Sequence, residues 1–292
     1  MARPSQGEAL TTWALWAAIA LCVVVTYSRL DPALTYHVSR NGFAGGLSRA
    51  VTVVNFPIGL VAIALVLVAA SALTGRAWWI GGPAIALCAT IPLFNEQGNL
   101  DAHWGNAIPA FGVALALGLT VAATLRAGAA FGPRRRFDVA RLVAGAVLLL
   151  VSLPWLAAEL GFHFPGDLFM GEELAREPDG TSIAAVHLGH HHGQDGAMLV
   201  VTALLLSRME FRRGALRSVT LAYLGGLLAY GAVNCVQDAW NEQLVKRGWL
   251  DAGIPSALLP SLSWIWLVVL GLGVLAAAAL LREGSTASYS AP

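Results

Sequence analysis

Apolar stretches close to twenty residues long recur eight times along this 292-residue chain, and that recurrence limits the fold more than any other feature. A helix rises about 1.5 Å per residue, so roughly twenty such residues cross the ~30 Å hydrocarbon core of a bilayer. The expected spans are Leu10–Leu30, Val51–Thr74, Trp78–Leu93, Ala107–Leu125, Val139–Gly161, His187–Met209, Ser218–Trp240 and Leu258–Leu281. Only 12% of residues are charged, about half the share in a soluble domain. The expected fold is therefore an all-α polytopic integral membrane protein, one bundle of about eight transmembrane helices over residues 1–292. The third span is the weakest, because Gly81-Gly82-Pro83 and Pro92 interrupt it. Residues 283–292, rich in Ser and Ala, read as a disordered tail.

Arginine and lysine predict the orientation. Twelve of the 18, among them Arg76, Arg126, Arg141, Arg208, Arg217 and Arg282, fall in one set of connecting segments, and six fall in the other. The richer set is expected to be cytoplasmic, with both termini, in a bacterial-type plasma (inner) membrane. No basic cluster is interleaved with aromatics, so nucleic acid is not an expected partner. Membrane lipids are. Cys22, Cys88 and Cys235 lie singly inside apolar spans and read as small core residues, not as a disulfide framework.

With that topology all seven histidines fall outside or at outer helix ends, four of them in His187-Leu188-Gly189-His190-His191-His192. Imidazole is the commonest side-chain metal ligand and titrates near neutrality. At 100° per residue, a helix beginning at His187 places His187, His190, His191, Gln194 and Asp195 on one side, with His192 pointing away. His187 and His191, four apart, have the spacing by which one helix offers two imidazoles to one metal. Asp195 is a further candidate ligand, or orients His191 from behind. Glu159 and His163 share a face at the outer end of span five, and His103 lies in the outer turn before span four. Span seven carries Asn234, Gln237, Asp238, Asn241 and Glu242 at three- and four-residue spacing. Asn234 and Gln237 read as interhelical hydrogen-bond glue. The inner half of the bundle is expected to hold almost no such groups, and carboxylates within a membrane segment require a cation, a partner or water.

The expected metal ligands are His187, His190, His191, Asp195, His163 and His103, for a Zn, Fe or Cu ion. Asp238, Glu242 and Glu159 are the candidate catalytic carboxylates. The segment His187-x-x-His190-His191 is similar to one histidine box of the membrane fatty-acid desaturases and hydroxylases. That likeness covers five residues, and those enzymes carry three boxes on the cytoplasmic side, so it implies no membership. The favoured reading is a metal-dependent membrane enzyme, a hydrolase or oxygenase, acting on a lipid or lipid-linked substrate. The alternatives are a copper or zinc permease or assembly factor, a carrier of one outer haem, and a non-catalytic protein with a pH-sensitive histidine cluster.

Overall fold

The computed structural model describes residues 6–30, 39–73, 75–94, 101–159, 174–176, 182–184, 191–209, 211 and 214–286. Among them eight helices follow the apolar runs. They are α1 (Gly7–Arg29), α2 (Gly42–Ala72), α3 (Trp78–Cys88, resumed after a turn at Ile91–Phe94) and α4 (Ala107–Ala127). The chain continues with α5 (Asp138–Glu159), α6 (His192–Leu206), α7 (Ala215–Trp240, continued by a wide turn at Asn241–Val245) and α8 (Trp264–Thr286). Two short strands, β1 (Leu174–Arg176) and β2 (Ser182–Ala184), pair antiparallel between α5 and α6. Helices α1, α2, α4, α7 and α8 are long and apolar enough to cross a membrane. The architecture is an all-α bundle of the membrane type.

Helix α2 is the axis of the packing. Val61, Ala62, Leu65, Val66 and Val68 are all fully buried, as expected of a helix that is apolar on every side. It packs on α1 and α4, while α7 lies between α6 and α8. Leu142 and Leu150 on α5 and Leu267, Val274 and Leu275 on α8 face outward, the apolar exterior that hydrocarbon tolerates. Polar side chains join helices singly: Trp16 Nε1 donates to Thr202 Oγ1 at 2.9 Å, and the Tyr223 hydroxyl to the Leu60 carbonyl at 2.8 Å.

Two wide, π-type turns interrupt regular α-helix, and each carries a buried polar residue. Pro57 has no N–H to donate, and the turn Val54–Ile58 around it opens with Asn55 inside. The turn Asn241–Val245 contains Glu242. Asn241 anchors that turn to the following loop, its amide oxygen accepting from Ile254 N at 2.9 Å and its amide nitrogen donating to Ile254 O at 2.8 Å.

Several expectations need correction. The end of the bundle opposite His191 and His192, expected to be sparse in charge, holds a connected ion cluster. Arg208 pairs with Asp138 at 3.0 Å and with the fully buried Glu8 at 3.6 Å, while Arg141 pairs with Asp138 at 3.3 Å and with Glu283. These are cation–carboxylate pairs that tie the starts of α1 and α5 to the ends of α6 and α8, and a sequence read span by span does not reveal them. The tail expected to be disordered from Glu283 begins as the last turn of α8, held by the Arg141 pair. Helix α8 starts at Trp264 rather than Leu258, because the Leu258 and Leu259 carbonyls are taken by the Tyr230 hydroxyl and Trp266 Nε1. Helix α2 starts at Gly42 rather than Val51, since Gly45 and Gly46 let its first turns press on the end of α1.

Candidate metal centre

Helix α6 begins at His192, and His191 is its N-cap residue with extended backbone (φ −107°, ψ 143°). This start governs the centre. Counting helical phase from His187 no longer applies, and His192, expected to point away, turns toward α7. His192 Nε2 lies 2.7 Å from Asp238 Oδ1 and 3.2 Å from Gln237 Oε1. Both oxygens face the same ring nitrogen, the Asp238 carboxylate at the shorter distance. Beside this pair, His191 Nδ1 lies 3.0 Å from Glu242 Oε2.

Glycine brings the two helices this close. A Cβ on Gly193 would fall onto the Asp238 carboxylate, so the absence of a side chain there admits Asp238 to the first turn of α6. Asp238 is fully buried, and His191 and Glu242 nearly so. His192 is the exception, with its side chain 34% exposed, the most open of the four among the described residues.

His191, Asp238 and Glu242 each offer a ligand atom, and the three atoms lie within 4.8 Å of one another. Donors around a tetrahedral ion at ~2.0 Å stand roughly 3.3 Å apart, so small side-chain rotations close the set on a metal. The Asp238 carboxylate is met by His192 Nε2 at 2.7 Å and by the Gly193 backbone N–H, polar partners of the kind a buried carboxylate demands. The donor set of one imidazole and two carboxylates fits a divalent ion such as Zn²⁺ or Fe²⁺. With no thiolate or thioether in it, the set fits Cu⁺ poorly.

No family model, curated protein or solved structure matches this chain. Its chemistry is therefore read from the arrangement of its own side chains.

The expected site residues divide as follows. His191, Asp238 and Glu242 are brought together. Asp195 is buried on the next turn of α6, close enough to Tyr230 to act on it electrostatically, and is not part of the three-residue group. His103 caps the turn before α4, its Nδ1 accepting from Gly105 N at 3.2 Å. His163, His187 and His190 lie outside the described residues, as does the side chain of Glu159. Sequence reasoning missed His192 and Gly193. The spacing of Gly193 and Gly196 after the histidines is the signal that a close helix contact begins there.

Gln194, in the first turn of α6, and Asn55 on α2 are fully buried, and neither amide has a hydrogen-bond partner among the described residues. Asn234 donates to the Tyr230 carbonyl at 2.9 Å, one helical turn inward of Asp238.

Proposed function

We propose that the protein is a metal-dependent membrane hydrolase acting on a lipid or lipid-linked substrate at the outer leaflet, with His191, Asp238 and Glu242 holding a zinc or iron ion. One observation carries this reading: three buried donors converge inside an apolar bundle, two of them carboxylates. Burying an ion without compensation costs several kcal/mol, and a divalent cation cancels the charge of both carboxylates together. Bound there, such an ion supplies a Lewis acid and a water acidic enough to attack an ester, amide or phosphoryl centre.

The protein's own groups handle the rest. Asp238 and His192 form a proton-holding pair at 2.7 Å, and the exposed edge of His192 connects that pair to the outer surface. Gln237 fixes the imidazole by accepting from its Nε2–H, which sets the tautomer as well as the ring orientation. A pair that can take a proton from water and return it to a leaving group suits hydrolysis better than oxygen activation.

A second reading has one observation in its favour. The imidazoles and carboxylates pair one to one, His191 with Glu242 and His192 with Asp238, which is also the design of a metal-free pH-sensitive cluster. Metal analysis of detergent-purified protein separates the two. About one zinc or iron per chain, lost in His191→Ala, is the expected result. Near-zero stoichiometry after incubation with zinc and ferrous iron would remove the enzyme reading and leave the pH-sensitive one.

A further inference from the structure

A cavity of about 590 Å³ opens between α2, α3, α7 and α8, lined among others by Phe56, Cys88, Tyr223, Gly226, Tyr230 and Trp266. Its size falls within the roughly 300–1,000 Å³ of small-molecule sites. Among the described residues no charged one contributes to its wall. The polar atoms that do border it are already engaged: the Tyr223 hydroxyl donates to Leu60 O at 2.8 Å, the Tyr230 hydroxyl to Leu258 O at 2.9 Å, and Trp266 Nε1 to Leu259 O at 2.7 Å. Apart from the Cys88 thiol, a weak donor, the described wall therefore presents hydrocarbon and ring surface, and an occupant with polar atoms along its length would leave most of them unpaired.

Its position relates it to the candidate centre. Tyr230 borders the cavity, Asn234 bonds back to the Tyr230 carbonyl, and Asp238 follows one turn further along the same helix. Eight residues of helix separate Tyr230 from Asp238, about 12 Å along the axis. A polar group attached to a chain in the cavity therefore has about 12 Å of α7 to span to reach the Asp238 level. The rings of Phe56 and Trp266 flank Tyr230 at centroid distances of 6.5 and 5.9 Å and form the wall on that side.

We propose that this cavity seats one hydrocarbon chain of a bilayer lipid and so presents that lipid's polar group to the His191–Asp238–Glu242 centre. The proposal rests on the enzyme reading only for what happens at the polar end; the chain site itself stands on the cavity. It makes the substrate class a lipid carrying at least one long unbranched chain, not a detached soluble headgroup.

The test uses the full-length protein in phosphatidylglycerol vesicles doped with phosphatidylglycerol bearing a photoactivatable diazirine in the middle of one acyl chain. After irradiation, peptide mapping locates the label. Enrichment on the segments around Tyr230 and Trp266, relative to the outward-facing Leu142 and Leu150 of α5, is the expected result. Gly226 borders the cavity and a Cβ there meets nothing within 4 Å, so Gly226→Leu fills the space without a clash at its base. That variant should lower the enriched labelling about tenfold, the loss two displaced methylene contacts produce, whereas Gly226→Ala should leave it intact. Equal labelling of the cavity and α5 segments, or labelling indifferent to Gly226→Leu in protein that elutes as wild type, overturns the proposal. Metal content measured on the same samples keeps the two readings apart. Chain labelling without bound metal ends the enzyme reading alone, and bound metal without chain enrichment ends the chain site alone.

Discussion

Gly196 on α6 and Gly231 on α7 approach so closely that a Cβ added to either would stand 2.5 Å from the carbonyl oxygen of the other. Helices meet at such range only where side chains are absent, and in an apolar bundle that contact is a main source of helix adhesion. Five residues before Gly196 lies His191, and seven after Gly231 lies Asp238. The separation of the donors therefore depends on this contact.

Gly196→Ala should accordingly damage stability and the centre together. Its Cβ would meet backbone atoms, which cannot rotate away, and overpacking of this kind costs about 1–3 kcal/mol. A lower unfolding midpoint in detergent, with metal content reduced in parallel, is the expected pair of measurements. Gly226→Ala, surrounded by open space, should be neutral or slightly stabilising and is the matched control.

Within the centre, ligands and proton carrier should separate by substitution. His191→Ala removes a donor, and zinc retention under competition with a chelator should fall by about two orders of magnitude or more. His192→Gln should keep metal within about tenfold of wild type while lowering turnover about 10²–10⁴-fold, the range for a general acid–base group. Metal loss in His192→Gln equal to that in His191→Ala would make His192 a ligand.

Asp238→Asn asks which role the aspartate plays. Loss of metal and turnover together identifies a ligand, and loss of turnover with metal retained identifies a proton acceptor. Its ligand atom lies in the three-donor group, so loss of both is the expected outcome.

At the opposite end, the ion cluster should govern stability without touching metal binding. Arg208→Met leaves the fully buried Glu8 without its cation, and breaking a buried pair costs about 3–5 kcal/mol. A large drop in unfolding midpoint with undiminished metal per folded chain is the expected combination.

Acid should weaken the same cluster. Burial pushes the Asp138 carboxyl upward, but the Arg135 amide and the guanidinium groups of Arg208 and Arg141 outweigh it and hold the carboxyl below its ordinary value. A group lowered on folding contributes stability above its unfolded value of about 3.9 and loses that contribution as pH falls through the folded value. Unfolding midpoints should therefore be insensitive to Asp138 protonation near pH 7 and fall below about pH 4. Asp138→Asn should flatten that acid limb; a limb of unchanged depth would show that the cluster does not titrate through Asp138.

Much of the molecule was legible before any coordinates. Apolar runs of bilayer length give helices because every backbone group must be satisfied within its own segment, and that rule acts locally. The acidic-amide face of α7 was also readable, since helical spacing alone collects Asp238 and Glu242. Spacing misled at the start of α6. It assumed a helix from His187, whereas the described helix begins at His192 with an extended residue before it, and so it turned His192 the wrong way.

By itself, then, the sequence determined the all-helical membrane class of this protein and the concentration of imidazole and carboxylate on particular segments, because hydropathy and periodicity are properties of neighbours along the chain. Only the tertiary structure decided which imidazole meets which carboxylate, which charges lock the far end and where an apolar cavity remains. The first of these follows from where α6 begins and how closely Gly193, Gly196 and Gly231 let it approach α7, and all three depend on distances between segments that are not written in either segment alone.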